Sequence, residues 1–487
     1  MDNREKKWID DVVVQDEIDR YQIDGKSFIN DELIWEQINK AKNPDKQYIK
    51  DIIQKSLRIE RLDPEEMAAL IHCDDPELYQ EMRDAALVIK ETVYGRRCVT
   101  FAPLYVSNYC VNNCEYCGYR TDNTSIDRKR LNKEELTREI EALVDEGHKR
   151  LIMVYGEHPA SDYEYIKDTL ETAYSVKRKP SGEIRRVNVN MAPLSIERLK
   201  PLQEVGIGTY QIFMETYHHE TYAKVHPQNT LKGNYDWRLY GLHRCMDAGI
   251  DDVAPGILLG LYDWRFDAMA MLYHTIDLEN RYDGVGPHTL SFPRLEPALD
   301  TPFAEQSPYM VSDEEFEKVV TVLRLAVPYC GMILTAREPQ EIREKVLKLG
   351  ITQLDFGSNI GVGSYAKGNF EPTRQQFMLN DNRSLDEGIR WLASEGKIPS
   401  FCTAGYRCGR TGSYFMNIAK KGKVHQMCMP NAILTFTEYL LDYASEETKE
   451  VGIKLVKKEI ELMEPGAKKA IKGLLDKIYE GQRDIYV

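Results

Sequence analysis

Long apolar runs are missing from this chain of 487 residues; no stretch approaches the roughly 18 consecutive apolar residues that a membrane-spanning helix needs. The first eight residues, Met1 to Trp8, carry charge but nothing like the apolar segment of a secretory signal. The chain therefore reads as soluble and cytoplasmic, with no membrane partner. Basic residues are outnumbered, 64 Lys and Arg against 78 Asp and Glu, for a formal charge of −14. A phosphate backbone calls for a clustered basic face, so nucleic acid is set aside as the main partner. Cysteine is scarce: ten residues are far too few for a disulfide scaffold, and their spacing is to be read as metal or redox chemistry. Internal repeats and low-complexity segments are also lacking. What is present, 42 % apolar and 29 % charged residues, suffices for one large domain with appendages or two to three average ones, and argues against intrinsic disorder.

Residues 1–96 read as a helical extension, with apolar positions in Phe28 to Ile38 and Met67 to Ile71 set between charged faces. Asp63-Pro64-Glu65-Glu66 has the order of a capping box, with proline at the first helical position. From about residue 97 short β-prone runs alternate with longer amphipathic stretches. Eight runs are visible: 98–107, 150–156, 187–193, 209–215, 252–260, 287–293, 332–337 and 352–358. Helical candidates between them include 133–147, 195–205, 312–327 and 339–349. Eight strands alternating with helices is the count of a complete (β/α)8 barrel, expected over 97–375. A doubly wound open sheet shares this periodicity. Polar residues at the strand ends favour the barrel, whose reactive groups gather at the carboxyl ends: Gly156-Glu157, Asn188, Asn190, Glu215, His288, Arg337 and Ser358. Residues 376–487 then form a C-terminal helical domain, opening on a loop with Cys402, Gly405, Cys408, Gly409 and Gly412.

The sharpest signal is Cys110, Cys114 and Cys117, spaced C-x3-C-x2-C just after the first run. Three thiolates on a tight loop can hold three irons of a cubane 4Fe-4S cluster and leave the fourth iron open. A structural zinc knuckle wants a fourth ligand nearby, and the loop holds no His; chance thiols are the other bland reading. The spacing, the aromatic Tyr116 beside the last cysteine and the position after strand one resemble the radical S-adenosylmethionine superfamily. That resemblance implies a 4Fe-4S cluster whose open iron chelates S-adenosylmethionine and, once reduced, cleaves it to a 5'-deoxyadenosyl radical. It also implies that Tyr116 flanks the adenine and that Gly156-Glu157 corresponds to the short element meeting the amino group of S-adenosylmethionine, with a helix-start carboxylate as the alternative. Asn190 and Glu215 are further candidates for cofactor contact. Arg337 suits a substrate carboxylate because its fork matches two oxygens; the alternative is an ion pair with Glu338. Gly361-Val362-Gly363 could approach a ligand, but an isolated G-x-G is more often a tight turn. Cys73, Cys98, Cys245 and Cys330 sit in apolar or helical settings and read as packing residues.

Over nearly its whole length the chain resembles the tyrosine lyase family that includes HydG and ThiH. The resemblance rests on segments such as 101–110, Arg186 to Asn190, 206–210, Glu215 to His218, 284–289, the Arg337 segment and Pro430 to Leu434. It implies a full (β/α)8 barrel and a C-terminal second cluster. It also implies cleavage of tyrosine at Cα–Cβ into p-cresol and dehydroglycine, and in the maturase branch conversion of dehydroglycine to carbon monoxide and cyanide on a dangling iron. Arg337 would hold the amino-acid carboxylate and His288 the dangling iron; a plain barrel-mouth hydrogen bond is the other reading of His288. A flavodoxin or ferredoxin as electron donor and hydrogenase maturation proteins as partners follow from the same resemblance.

Two departures stand out. The family's C-x2-C-x22-C for the second cluster reads here as Cys402, Gly405 and Cys428, so either that cluster is absent or Cys408, three residues on, takes the middle place if the segment is helical. At three strand ends Glu-Ala-Gly-Glu becomes Val154-Tyr155-Gly156-Glu157, Gln-Glu-Thr-Tyr becomes Met214-Glu215-Thr216-Tyr217, and Ser-Ala-Gly-Ser becomes Asp355-Phe356-Gly357-Ser358. Adding Tyr155, Met214 and Phe356 is expected to make the pocket smaller or more apolar. The expected activity is a radical S-adenosylmethionine carbon–carbon lyase, tyrosine by default, with carbon monoxide and cyanide as further products. A relative with another amino-acid substrate, or one stopping at dehydroglycine, is the alternative, and a noncatalytic iron–sulfur scaffold is the rival from another class.

Overall fold

Short β-branched and aromatic runs separated by capped amphipathic helices can bury both faces of every strand only if the sheet is wrapped in helices. The structure, a computed structural model, describes residues 2–368 and 371–487 and shows this arrangement. Eight parallel strands form a barrel: β1 Arg97–Ser107, β2 Arg150–Tyr155, β3 Arg186–Asn190, β4 Tyr210–Glu215, β5 Val253–Ile257, β6 Thr289–Ser291, β7 Gly331–Leu334 and β8 Gln353–Asp355. β8 pairs with β7 through Leu354 and Leu334 and with β1 through Asp355 and Phe101, which closes the sheet. Closure excludes the open doubly wound alternative. Each of the eight expected runs holds a strand, trimmed at its ends. Residues past the strand ends, such as Arg337 and Ser358, leave the sheet as loops.

The helices start where cap residues satisfy their first amides. Asn132 and Glu135 form a capping box on helix Lys133–Asp145, Ser195 caps Ile196–Val205, and Ser312 caps Asp313–Ala326. In the N-terminal extension, the Asp63 amide donates to Glu66 at 2.7 Å at the start of helix Pro64–Ile71, as its capping box requires. Helix Pro76–Tyr94 then leads into β1.

A ninth strand, β9 Ile398–Ser400, pairs in parallel with the first residues of β1 (Arg97 with Ile398, Val99 with Ser400). Its three residues carry no readable alternation, and Pro399 is tolerated because the strand lies at an edge. Just past residue 375 the chain also stays on the barrel: the Gly118 amide donates to the Gln376 carbonyl at 3.2 Å and the Asn380 amide to the Ala336 carbonyl at 2.9 Å. C-terminal helices Leu385–Ser394, Val424–Asp442, Glu446–Glu461 and Pro465–Tyr479 complete the chain. No helix among the described residues is long and apolar enough to cross a membrane.

The barrel and helix Val424–Asp442 are joined by a buried pair, Arg185 to Glu438, at 2.6 and 3.1 Å. Removing Arg185 leaves Glu438 only the more distant Lys149, at 3.7 Å, as a cation, so much of its buried charge goes uncompensated. Arg185→Met is therefore expected to lower stability by about 3 to 5 kcal/mol, read as an earlier midpoint in urea unfolding. An unchanged midpoint would count against this anchoring.

Candidate active site at the two barrel mouths

At the carboxyl ends of the strands, β1 runs into the loop bearing Cys110, Cys114 and Cys117. The loop is pinned by backbone bonds: the Val111 amide to the Glu157 carbonyl at 2.8 Å, Thr121 to Asn112 at 2.8 Å, and Glu115 to Val225 at 3.2 Å. Gly156 lets it pass, since a Cβ there would lie 2.1 Å from the Tyr109 carbonyl oxygen. The three cysteines line one cavity with Tyr116, Gly156, Glu157, Asn190, Glu215 and Arg337. The structure thus brings together all the residues expected at the first cluster and its cofactor.

Electrostatics bear on what this cavity can hold. Burial pushes the Cys110 thiol up to about 11 and raises Cys114 as well, so these thiols stay neutral unless a cation pays for the thiolate form, as bound iron does. Among the described residues no three His, Cys, Asp or Glu side chains converge on one metal ion.

Around the loop, each Glu157 oxygen has a protein donor: Arg238 at 2.7 Å and Asn112 at 2.7 Å. Glu215 accepts from Lys232 at 2.6 Å and holds a left-handed backbone, φ 71°, a strain that non-glycine residues keep chiefly where surrounding structure enforces it. The Tyr116 hydroxyl meets His226 Nε2 at 2.7 Å, and Gln376 Nε2 lies 3.3 Å from the Cys117 sulfur. Asn190 makes no side-chain hydrogen bond within the described protein and faces the cavity. Arg337 stacks on Phe377, 3.4 Å from the ring centroid, and has no ion pair among the described residues. The expected partner, Glu338, is instead held by Arg294 at 3.0 and 3.1 Å. Sequence reasoning missed Lys232, Arg238, His226 and Phe377, which carry no spacing signal; Asn112 lay within the cysteine loop and could have been suspected.

Three expectations need correction. His288 stands just before β6 and so faces the amino-terminal mouth, opposite the cysteine loop. There it shares a cavity with Cys402, Gly405 and Cys428 and with Arg97, Arg150 and Arg186, which begin β1, β2 and β3. Cys408 does not reach this cavity. Gly405 begins a single 3-10 turn, Tyr406–Cys408, that carries Cys408 out to solvent. Met214 and Phe356 do not enter the pocket: Met214 packs in the core and Phe356 packs against Trp391, while Tyr155 lines the cysteine-loop cavity with its hydroxyl turned out to Thr169 at 2.8 Å. The same strand alternation puts Val154 and Asp355 inside. Gly363 lies in a turn at φ 79°, and Cys73, Cys98, Cys245 and Cys330 are buried packing residues.

At the amino-terminal mouth burial opposes the Cys402 thiolate, but Arg97, Arg150 and Arg186 outweigh it and lower the thiol well below its usual range. Several guanidinium nitrogens there, on Arg97, Arg150 and Arg410, have no hydrogen-bond partner among the described residues. Cationic surroundings and two thiols fit an anionic thiolate-bound cluster, one ligand short of three. A side chain at Gly405 would meet nothing nearer than the Arg410 carbonyl at 4.0 Å.

A cysteine loop after strand one, closing over the carboxyl mouth of a full barrel, defines a radical S-adenosylmethionine enzyme. The Radical SAM superfamily model matches residues 104–272, and the model of the Biotin and Thiamin Synthesis associated domain matches 291–398. The chain is 28 % identical to 2-iminoacetate synthase of Escherichia coli (strain K12) over 350 residues, 71 % of this chain and 89 % of that protein. It superposes on a crystal structure of HydG, a maturase of the [FeFe]-hydrogenase, with a TM-score of 0.91 and 48 % identity, covering 95 % of this chain and all of that one. With HydG from Carboxydothermus hydrogenoformans the TM-score is 0.78 at 37 % identity, covering 95 % and 99 %. The chain belongs to the HydG family: it is a radical carbon–carbon lyase that uses a 4Fe-4S cluster and S-adenosylmethionine.

Alanine at Cys110, Cys114 or Cys117 is expected to abolish 5'-deoxyadenosine formation, measured by chromatography; full turnover in any of these variants would exclude the loop as the cluster site. In a chain with all three replaced, Gly405→Cys is expected to raise iron uptake to about four per chain after anaerobic reconstitution. Uptake no higher than in the Gly405 parent would mean that the missing thiolate is not what limits the second site.

Proposed function

We propose that this protein cleaves tyrosine between Cα and Cβ, giving p-cresol and dehydroglycine. The observation that carries this reading is Arg337: a half-buried guanidinium without a carboxylate partner among the described residues, in a wall shared by the cysteine-loop cavity and a deeper cavity lined by aromatic rings. Cys110, Cys114 and Cys117 would hold a cluster that, once reduced by an external donor, would supply the electron for cleavage of S-adenosylmethionine. Tyr116, Gly156, Glu157, Asn190 and Glu215 surround the space for that cofactor. Glu157, fixed by Arg238 and Asn112, keeps strand two in register with the loop, and the Lys232–Glu215 pair holds the strained end of strand four. Arg337 clamps the substrate carboxylate, which puts the amino group towards the cofactor side and the ring into the deeper cavity. A flavodoxin or ferredoxin in the cytoplasm would supply electrons.

A second reading, carbon monoxide and cyanide formation for FeFe-hydrogenase maturation with other maturation proteins as partners, is favoured by His288, Cys402 and Cys428 sharing the amino-terminal cavity. Gly405 stands against it, so cleavage ending at dehydroglycine is the reading we adopt.

Anaerobically reconstituted protein with dithionite, S-adenosylmethionine and tyrosine is expected to form 5'-deoxyadenosine and p-cresol in step. Deoxyadenosine without p-cresol would move the substrate to another amino acid. No deoxyadenosine above buffer would leave only the scaffold reading.

A further inference from the structure

Two charged side chains line the deeper barrel cavity, Arg337 and Asp355. Arg337 is already placed as a carboxylate clamp. Asp355 is 2 % exposed, and such a carboxylate needs partners for its oxygens. Ser358 donates to Oδ2 at 2.6 Å, but Oδ1 has no hydrogen-bond partner among the described residues. The nearest cation, Arg343 Nη2, is 3.5 Å from Oδ1 and donates instead to the Asp355 carbonyl at 2.6 Å. Arg343 also donates to Asp381, which Arg383 grips as well, so Asp355 helps to balance two guanidinium groups, yet none of these contacts gives its Oδ1 a hydrogen bond. The Thr335 hydroxyl in the same cavity also lacks a partner among the described residues. Burial raises the Asp355 carboxyl above its usual range, even though Arg343, Ser358 and the Asp355 and Ala336 amides act the other way.

Strand register gives the depth. Leu354 pairs with Leu334, and Asp355 pairs with Phe101. Arg337 lies three residues beyond Leu334, so the acid sits deeper than the clamp. Phe101, Tyr105, Phe213 and Phe377 line the space around them. An amino acid held by its carboxylate at Arg337 would send an aromatic side chain down between these rings, its far end towards Asp355.

We propose that Asp355 reads the far end of the substrate side chain, accepting a hydrogen bond from a hydroxyl carried on an aromatic ring. This rests on the lyase reading above and names what selects its substrate. A hydroxyl, which can both donate and accept, would satisfy Asp355 Oδ1 and the Thr335 hydroxyl alike; a bare ring would leave both unpaired. Sites built to hydrogen-bond a substrate hydroxyl reject the analogue lacking it by about 10⁴-fold or more.

The test measures calorimetric binding of tyrosine, phenylalanine and lysine to the reconstituted full-length protein loaded with S-adenosylmethionine, alongside p-cresol formation. The natural chain is expected to prefer tyrosine over phenylalanine by at least about 100-fold. Asp355→Ala is expected to cut that preference below about 10-fold, chiefly by weakening tyrosine. Asp355→Asn, which keeps the shape and one acceptor, is expected to fall between, and it decides the matter if the alanine variant fails to fold. If both variants keep the full preference while p-cresol still forms, the role of Asp355 is overturned and the lyase reading stands. If the natural chain forms no p-cresol and binds lysine in an Asp355-dependent way, both are overturned, and the acid recognises an ammonium group.

Discussion

In a closed barrel of parallel strands every strand residue has two places to go, the interior or the helical layer, and alternation along the strand decides which. The rest of the structure depends on this constraint. It puts Val154, Asn190, Phe213 and Asp355 inside and turns Met214 and Phe356 outward, while Tyr155, at the end of its strand, borders the cysteine-loop cavity and sends its hydroxyl out to Thr169. The same two-residue period sorts the departures from the family pattern into those that touch substrate space and those that only repack the wall. The inward changes are a valine on β2 and an aspartate on β8, so the interior has not simply become apolar: an acid now stands on the strand that closes the barrel.

Strand direction is the second consequence. Because all eight strands run the same way, residues that begin strands and residues that end them are kept at opposite mouths. Arg97, Arg150, Arg186 and His288 stand at or just before strand starts, and with Cys402 and Cys428 they form the cationic amino-terminal cavity. The Cys110–Cys117 loop, Glu157, Glu215 and Arg337 follow strand ends and form the other. Gln353 lines both the deeper cavity and the amino-terminal one, so the two chemistries are separated by the barrel's length, not by domain packing.

Much of this was legible in the sequence. Eight β-prone runs with helices between them gave the barrel because each element has its own period and cap, as at Ser195 and Ser312. The cysteine loop was legible because three thiols at fixed spacing are a local pattern. His288 was assigned to the wrong mouth because a polar residue beside a short run cannot be placed before or after its strand until register is known; β6 proved to be three residues, starting at Thr289. Lys232, Arg238 and Phe377 escaped notice because they reach the site from segments distant in sequence and match no spacing. β9 escaped because three residues around a proline show no period. Cys408 was misplaced because spacing along a helix says which residues are neighbours, not which face is buried.

The backbone constrains the two mouths unequally. Gly405 holds right-handed helical torsions, φ −51° and ψ −56°, that any residue adopts, with open space where a side chain would project. The loop around it is held by other means: the Cys408 amide donates to the Ala404 carbonyl at 3.1 Å, and Arg407 grips Asp484 at 2.6 and 2.8 Å. Losing a thiolate at 405 therefore removes a ligand without removing a structural contact. At the other mouth Gly156 has no such freedom, because a Cβ would collide with the backbone of the cysteine loop. The chemistry at the carboxyl mouth is built into the packing of the barrel, whereas the second site can lose a ligand while the barrel stays intact.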